Sequence, residues 1–324
     1  MTSSHCPALP SLRSPFRAAM HRHTPAAEAG TLAWADRFGL LTDPATRRRL
    51  VGTRSARLAG RVSPRATLPG LLLNTDWQTW LFLFDDAFCD ESEFGARPPA
   101  MIGLAAQVLA VLETGQVPPP GESGPVGAFL AALADLRDRL AALATPGQLA
   151  RFTAAVTGYL LALTWEAKHR EAGVPATLRE YQVMRRHSGA VPTCLALIEV
   201  VNGFELPERV VRQAGLGEVS AAAADVTSWA NDILSYPKEV RRSAHVLSLP
   251  AVLAREHGIP AAQALREAAA LYEERIRAYQ ELEAPLLAEG NPLVNMYLAD
   301  LRAWIAGNLA WSYETGRYGL GIAA

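Results

Sequence analysis

Acidic side chains gather at the end of an apolar stretch, and their spacing suits the binding of a metal ion. Residues 77–84 include two tryptophans, two leucines and two phenylalanines, and Asp85, Asp86, Asp90 and Glu91 follow them. If the stretch is helical, Asp86 and Asp90 lie one turn apart on one face, with Asp85 beside them. Neighbouring carboxylates repel and are costly to desolvate unless a cation pairs with them. Such hard oxygen ligands suit Mg²⁺; the alternative is an amphipathic helix that simply ends in acidic residues.

A second polar set recurs at helical spacing in the C-terminal half of the chain. Asn231, Ser235 and Glu239 are spaced i, i+4 and i+8, so their side chains stack on one helix face. They offer an amide oxygen, a hydroxyl and a carboxylate, which could form a second Mg²⁺ site. Lys238 stands beside them as a cation for phosphate. The alternative is a polar stripe that faces solvent, with Pro237 marking a surface turn.

Arginines accompany both polar sets. Arg185 and Arg186 are adjacent, so they point to different faces of a helix, and one can be solvated while the other meets an anion. Gly189 follows them at a point where a helix could kink and leave backbone carbonyls unpaired. Near the C-terminus, a tryptophan-rich helix ends in Arg317 and Tyr318, a cation and a phenol. Solvated surface arginines and a basic C-terminal cap are the alternative interpretations.

Composition excludes several classes of protein. The chain of 324 residues has a formal net charge of −1, which argues against nucleic acid as a partner. Half of the residues are hydrophobic, so a sizeable core can form. Cys6, Cys89 and Cys194 lack the spacing of a disulfide framework or a zinc site, and the cytoplasm is the expected compartment. No apolar run is long enough to span a membrane, and no secretory segment is expected.

Helical patterns dominate from residue 26 onward, and no run of alternating β-branched residues indicates a sheet. Residues 1–25 are rich in Ser, Pro, Arg and His and are predicted to form a flexible N-terminal tail. No linker interrupts the remainder, so residues 26–324 are predicted to form one all-α domain of about a dozen helices. Besides the acidic stretch, the predicted helices cover residues 34–41, 45–62, 100–114, 126–143, 146–170, 193–201, 207–237, 242–257 and 260–288, with a last helix from about residue 291.

Taken together, the motifs resemble those of the bacterial class I terpene synthases. Residues 85–90 match the family's Asp-rich motif, and residues 231–239 match its Asn/Ser/Glu triad. Arg185 stands where that family places its diphosphate-sensing arginine, and Ser188 and Gly189 fall on the linker and effector positions. Ser188 departs from the acid that is common at the linker. The residues Arg317 and Tyr318 match a C-terminal pair, and the resemblance runs from about residue 34 to 318.

The resemblance implies a class I terpenoid synthase helical bundle around a central cavity. Its substrate would be a linear prenyl diphosphate, ionised with a cluster of three Mg²⁺ ions that the substrate diphosphate shares. The implied metal ligands are Asp85, Asp86, Asp90, Asn231, Ser235 and Glu239, while Glu91 stays open as a substitute within the acidic motif. The implied diphosphate-binding residues are Arg185, Lys238, Arg317 and Tyr318, and the implied catalytic residues are Arg185, Ser188 and Gly189.

Residues upstream of each motif would lie deeper in the cavity and hold a carbocation away from water. The residues expected to line it are Trp77, Leu81, Phe82, Ala224, Ser228, Trp304 and Trp311. Because Ala224, Gly189 and Ala190 are small, geranylgeranyl diphosphate, with twenty carbons, is slightly favoured over farnesyl diphosphate, with fifteen. The product is expected to be a polycyclic terpene, and a terpene alcohol formed by water capture stays open.

Two other functions remain as alternatives at this stage. A chain-elongating prenyltransferase would have a related helical fold but would be expected to carry a second Asp-rich motif in place of Asn231, Ser235 and Glu239. A non-catalytic helical binding protein would carry the same acidic patches only on its surface. A homodimer is common in families of this kind and is therefore an expected assembly.

Overall fold

The computed structural model describes residues 8–89, 92–119, 126–242 and 246–318, and within them regular structure is helical throughout. The all-α prediction is therefore confirmed. The helices are α1 Thr24–Arg37, α2 Pro44–Thr53, α3 Ser55–Val62, α4 Leu68–Phe88, α5 Pro98–Thr114, α6 Gly127–Leu143, α7 Pro146–Ala172, α8 Leu178–Ser188, α9 Val191–Leu195, α10 Ile198–Asn202, α11 Glu208–Val211, α12 Ala214–Arg242, α13 Leu249–Glu256, α14 Ala261–Ala288 and α15 Pro292–Glu314, with 3₁₀ turns at Glu93–Ala96 and Gly316–Tyr318.

Several helices begin where the sequence places a capping residue before a proline. Asp43 Oδ1 accepts hydrogen bonds from the backbone N–H groups of Ala45 and Thr46, at 2.7 and 3.0 Å, and starts α2. Thr145 and Gln148 form a reciprocal capping box at the start of α7. These caps satisfy N–H groups that have no partner inside the helix, so they fix helix starts locally.

Helix bounds differ from the prediction at several places. The first helix, predicted over residues 34–41, is α1, Thr24–Arg37, and the helix predicted over residues 207–237 is interrupted between α11 and α12. The single helix predicted over residues 45–62 is divided at Arg54, whose backbone is left-handed with φ 57°. The apolar helix predicted over residues 193–201 is two short helices, α9 and α10. In contrast, α12 continues through Pro237 to Arg242 rather than ending at the proline. The continuous α12 keeps Asn231, Ser235 and Glu239 on one helix.

Helix α4 is largely buried and packs against α1, α3 and α6. Its rings of Trp77, Trp80 and Phe84 stack in sequence, with centroids 5.3 and 4.4 Å apart. All three side chains are buried, so this stack anchors the helix that carries the acidic motif. Helices α12 and α15 pack against each other and, with α4, α7 and α8, surround a central cavity.

The N-terminal segment is packed over its described part, which corrects the prediction of a flexible tail. Leu12 and His21 are buried, and Phe16 packs edge-on against Tyr279 of α14. The backbone N–H of Leu12 also donates to the Tyr313 hydroxyl at 3.2 Å. The apolar residues of this segment, which stand between its Ser, Pro and Arg residues, therefore hold it against α14 and α15.

No helix in the described ranges is both long and apolar enough to cross a membrane.

Candidate active site

The central cavity has a volume of about 770 Å³ and brings together residues from most of the predicted motifs. Charged and polar side chains line it together with aromatic and aliphatic ones. The predicted site residues that line it are Asp85, Arg185, Ser188, Gly189, Asn231, Ser235, Lys238, Glu239, Arg317, Tyr318, Leu81, Phe82, Ser228, Trp304 and Trp311. Most of these residues come from α4, α8, α12 and α15, so the folding of distant segments assembles one site.

The two adjacent carboxylates at the end of α4 have different surroundings. Asp85 lines the cavity, whereas Asp86 accepts two hydrogen bonds from the Arg317 guanidinium, at 2.9 and 3.2 Å. Arg317 also lies 3.7 Å from Asp85 and 4.8 Å above the ring of Phe82. Burial disfavours the charge on Arg317, but the carboxylates of Asp86 and Asp85 outweigh it and raise the pKa of this guanidinium. The other two acids of the motif, Asp90 and Glu91, lie outside the described residues.

The polar stripe of α12 faces the cavity rather than solvent. Asn231, Ser235 and Glu239 all line it, and the Ser235 hydroxyl donates to a Glu239 carboxylate oxygen at 2.5 Å. The Asn231 amide nitrogen donates to the Tyr318 hydroxyl at 2.6 Å, which ties α12 to the end of α15. Amide, hydroxyl and carboxylate oxygens are hard donors, so this set fits Mg²⁺. Within the described part of the chain, no three His, Cys, Asp or Glu side chains form a metal site alone.

Arg185 is the arginine of the adjacent pair that reaches the cavity. Its Nε donates to Asp232 at 2.7 Å, and its Nη2 donates to the Asn231 amide oxygen at 2.8 Å. Asp232 is buried and also accepts from the Tyr181 hydroxyl and from the backbone N–H of Leu249. Burial disfavours the charge on Arg185, but the Asp232 carboxylate outweighs it and raises the pKa of the guanidinium well above its usual value. Arg185 is therefore a fixed cation at the cavity wall.

Arg186 points away from the central cavity and holds α8 on the bundle. It donates to both oxygens of the buried Asp225, at 2.8 and 3.0 Å. Arg275 of α14 donates to the same carboxylate at 2.9 Å. Asp225 and Asp232 are about two turns apart on α12, so they share a face. Helix α8 is thus attached to α12 at two points, and Arg185 is placed by the second.

This two-point attachment predicts different effects for two arginines that bind one carboxylate. Arg186→Met is expected to lower kcat by up to about 10²-fold, because looser α8 positioning displaces Arg185. Arg275→Met leaves the α8 contact in place, so kcat should stay near that of the unmodified protein. Both variants should lose stability to a similar extent, about 1–3 kcal/mol. Steady-state kinetics with chemical denaturation would measure both effects; equal losses of kcat would contradict the positioning role.

The cavity wall is interrupted by the break between α8 and α9. Ala190 has a left-handed backbone, φ 56°, which is uncommon for a residue with a side chain. Gly189 packs closely against α12, because a Cβ atom there would lie 2.8 Å from the Ser228 Oγ. A side chain at residue 189 would therefore require the Ser228 hydroxyl to move.

Two residues predicted to line the cavity lie elsewhere. Trp77 is on another face of α4, where its Nε1 donates to the Thr193 hydroxyl at 3.1 Å within the stacked core. Ala224 lines a smaller, separate cavity of about 340 Å³ together with Leu216 and Tyr297. Its small size therefore has no bearing on the room for substrate and gives no reason to prefer a longer one.

Several lining residues were not predicted as site residues. Glu166 and Arg170 form an ion pair at 2.9 Å, and Arg170 also donates to the backbone oxygen of Gly95 after the acidic motif. Asn308 lies on α15 between Trp304 and Trp311. Glu166 and Arg170, like Trp304 and Asn308, are four residues apart in the sequence. This spacing indicates that each pair shares one helix face, and it is the signal by which the sequence could have shown these residues. Cys194 also lines the cavity, and burial raises the pKa of its thiol to about 12.

The all-α bundle and the site of acids, arginines and aromatic residues define a class I terpene synthase. The family model described as "Terpene synthase family 2, C-terminal metal binding" matches residues 76–278, and the chain belongs to this family. It is an enzyme of the carbon–oxygen lyase type that acts on diphosphates. This membership sets aside the two alternatives, a chain-elongating prenyltransferase and a non-catalytic binding protein.

Related proteins cover nearly the whole chain. A (+)-(1(10)E,4E,6S,7R)-germacradien-6-ol synthase of Streptomyces pratensis is 31% identical over 98% of this chain and 88% of its own length. A (+)-T-muurolol synthase of Roseiflexus castenholzii is 35% identical over 94% and 92%. A (12E)-labda-8(17),12,14-triene synthase of Streptomyces anulatus is 35% identical over 98% of both.

Solved structures of similar proteins share this fold. The crystal structure of the SVS_A2 protein from ancestral sequence reconstruction superposes with a TM-score of 0.87 at 27% identity, covering 94% of this chain and 90% of that one. Wild-type cucumene synthase superposes with a TM-score of 0.79 at 28% identity, covering 92% and 98%. The fold is therefore shared by proteins of low sequence identity.

Proposed function

We propose that this enzyme is a Mg²⁺-dependent cyclase that ionises a linear prenyl diphosphate and closes the resulting allylic cation into a ring. The observation that supports this most strongly is the polarity of the central cavity. Charged residues from several segments line this cavity together with indole and aliphatic side chains. A site of this kind can stabilise a departing diphosphate and still shield a carbocation.

The oxygen donors that line the cavity fit a metal-bound diphosphate. Asp85 from α4 and the triad Asn231, Ser235 and Glu239 from α12 line the same cavity as oxygen donors. We assign Asp85 and the triad as metal ligands, with Asp86 holding Arg317 in place. When bound, Mg²⁺ would supply positive charge to the diphosphate oxygens.

Cationic and phenolic side chains complete the proposed diphosphate site. Arg185, Lys238, Arg317 and Tyr318 all line the cavity. Arg185 is anchored through its Nε on Asp232, so its two terminal nitrogens are directed to Asn231 and Ser188 at the cavity wall. A diphosphate arriving there would meet donors that are already oriented, which lowers the cost of reorganisation as the leaving group gains charge.

The deeper wall is suited to a cation that must not meet a base. Phe82 and Trp311 stack with centroids 5.5 Å apart, and Trp304 lies on the same wall of α15. Each aromatic face would contribute about 0.5–2 kcal/mol to a nearby cation. The Cys194 thiol, with its raised pKa, stays neutral and does not act as a base. We therefore expect the final proton to leave on the released diphosphate.

Farnesyl diphosphate is the substrate that we propose. The cavity volume of about 770 Å³ lies within the usual range for ligand sites, so volume alone does not select a chain length. The T-muurolol synthase relative is named as cyclising (2E,6E)-farnesyl diphosphate, as is a 4-epi-cubebol synthase of Streptosporangium roseum. Geranylgeranyl diphosphate is the second candidate, because the labdatriene synthase relative is named for a product with the twenty-carbon labdane skeleton.

Incubation with geranyl, farnesyl and geranylgeranyl diphosphates, each with Mg²⁺ or with EDTA, tests the proposal directly. Gas chromatography–mass spectrometry should show one principal cyclic product from farnesyl diphosphate, only when Mg²⁺ is present. A cyclic product from geranylgeranyl diphosphate alone would overturn the chain length but not the reaction. A longer linear diphosphate formed with isopentenyl diphosphate, or turnover undiminished by EDTA, would overturn the proposed function.

A further inference from the structure

The cavity wall carries polar atoms that are not satisfied by the protein. Asn308 Oδ1 and Ser228 Oγ are buried and have no hydrogen-bond partner among the described residues. Both residues line the central cavity and are only 8% and 2% exposed. Buried acceptors without partners are rare in folded proteins, because no hydrogen bond offsets the free energy that their desolvation costs. In a site for a hydrocarbon chain, they indicate a ligand that carries O–H groups.

The position of Asn308 is unusual for a wall that binds only hydrocarbon. It lies one turn after Trp304 and three residues before Trp311 on α15, and all three side chains line the cavity. A carboxamide therefore stands between the two indoles that are best suited to a carbocation. A leucine would fill a similar volume there without leaving a polar atom unpaired.

Ser228 lines the same cavity from α12. It precedes Asn231 by about one turn, so it stands just below the proposed diphosphate site. Its Oγ contacts the break between α8 and α9, 2.8 Å from where a Cβ of Gly189 would lie. The hydroxyl therefore borders the region in which an ionised carbon would first be exposed.

Other polar groups in the cavity already have partners. The Thr227 hydroxyl donates to the Ala223 backbone oxygen at 2.8 Å. The Gln78 amide nitrogen lies 3.3 Å from the Cys194 sulfur. Among the fully buried side-chain oxygens and nitrogens of the described wall, Asn308 Oδ1 and Ser228 Oγ are the two without a hydrogen-bond partner.

We propose that Asn308 and Ser228 retain a water molecule that is added to the carbocation, so that the product is a cyclic terpene alcohol. The inference rests on the proposed cyclase function. Two acceptors that bind the O–H groups of water leave its lone pair directed at the cation. The substrate C–O bond breaks with both electrons going to diphosphate, and the water oxygen forms the new C–O bond to the carbocation. One of the two water protons stays in the product hydroxyl, and the other passes to a diphosphate oxygen. No oxidation or reduction is involved.

The test uses the purified protein with Mg²⁺ and the three prenyl diphosphates in water enriched in the heavy oxygen isotope. We expect the principal product to be a cyclic alcohol whose mass shows one heavy oxygen atom. A cyclic hydrocarbon as principal product would overturn the water site and leave the cyclase function intact. An acyclic alcohol, or a cyclic alcohol without the isotope, would also overturn it. No turnover of any prenyl diphosphate would overturn the proposed function itself and, with it, this inference.

Two variants test whether Asn308 and Ser228 hold this water molecule. Asn308→Leu, and more weakly Ser228→Ala, should lower the alcohol-to-hydrocarbon ratio, by about tenfold for Asn308→Leu, the effect of losing one hydrogen bond. Asn295→Leu is the matched control, because Asn295 lies on the same helix and its Oδ1 also lacks a partner in the described structure. Asn295 lines neither cavity. An unchanged ratio in both Asn308→Leu and Ser228→Ala would overturn the assignment.

Discussion

Asp85→Asn is expected to lower kcat/KM by about 10²–10³-fold, the usual cost of removing one group that stabilises charge in a transition state. Asp85 lines the same cavity as the α12 triad, and asparagine preserves its shape while removing its charge. Asparagine at residue 85 weakens the contact with Arg317, 3.7 Å away, but also removes the repulsion between the adjacent carboxylates of Asp85 and Asp86, so folding stability should fall by less than about 1 kcal/mol. The Mg²⁺ concentration for half-maximal activity should rise.

Asp86→Asn is the matched control, because the same substitution one residue on removes the partner of Arg317. The bidentate contact of Asp86 with Arg317 is lost, so this variant should be less stable, by about 1.5–3 kcal/mol. Its Mg²⁺ requirement should change less than that of Asp85→Asn. The rise in Tm on adding Mg²⁺ with inorganic diphosphate gives a second measurement that needs no turnover. A larger loss of this rise in Asp86→Asn would reverse the assignment of the two carboxylates.

The polar stripe on α12 shows what the sequence could predict about the site. Spacing of four residues is enough to place Asn231, Ser235 and Glu239 on one face of a continuous helix. The types of these residues indicate a hard cation, and their placement on one cavity with Asp85 follows from the fold. The prediction that they share a face succeeded because helix periodicity is a local property of the chain.

Trp77 and Ala224 show why other lining residues were assigned incorrectly. Helix α4 is buried on nearly all sides, since most of its residues from Gly70 to Phe88 are buried. A helix with no solvent face carries no amphipathic signal, so periodicity cannot tell the core face from the cavity face. Ala224 lies on α12, where the neighbouring residues are also buried, and its side chain lines a second cavity. Only tertiary packing distinguishes these faces.

The placement of the adjacent arginines of α8 could be predicted only in part from the sequence. Adjacency predicts that Arg185 and Arg186 point to different faces, and the structure agrees. Which of them meets the central cavity is decided by Asp232 and Asp225, two buried carboxylates far along the chain. A sequence alone does not show that these aspartates are buried or paired, so the choice depended on resemblance.

Replacement of Arg185 separates its structural and catalytic contributions. Arg185→Met is expected to cost about 3–5 kcal/mol of stability, because it leaves the Asp232 carboxylate buried without its cation. The double variant Arg185→Met with Asp232→Asn should regain most of this stability. The amide oxygen introduced by Asp232→Asn can still accept from Tyr181 and from the Leu249 N–H, while the new NH₂ group takes the side that Arg185 had occupied. Denaturant unfolding would measure both values.

Activity should not return with stability in that double variant. If Arg185 orients the diphosphate, the single and the double variant should both stay about 10²–10³-fold below the unmodified kcat/KM, because the charge and its paired donors are missing. Arg185→Lys keeps the charge but lacks the planar set of donors that reaches Asp232, Asn231 and Ser188 together, so its activity should be intermediate. Recovery of activity in the stable double variant would show that Arg185 has only a structural role. If activity stays low although stability is restored, ionisation of the diphosphate is the step that requires the Arg185 guanidinium.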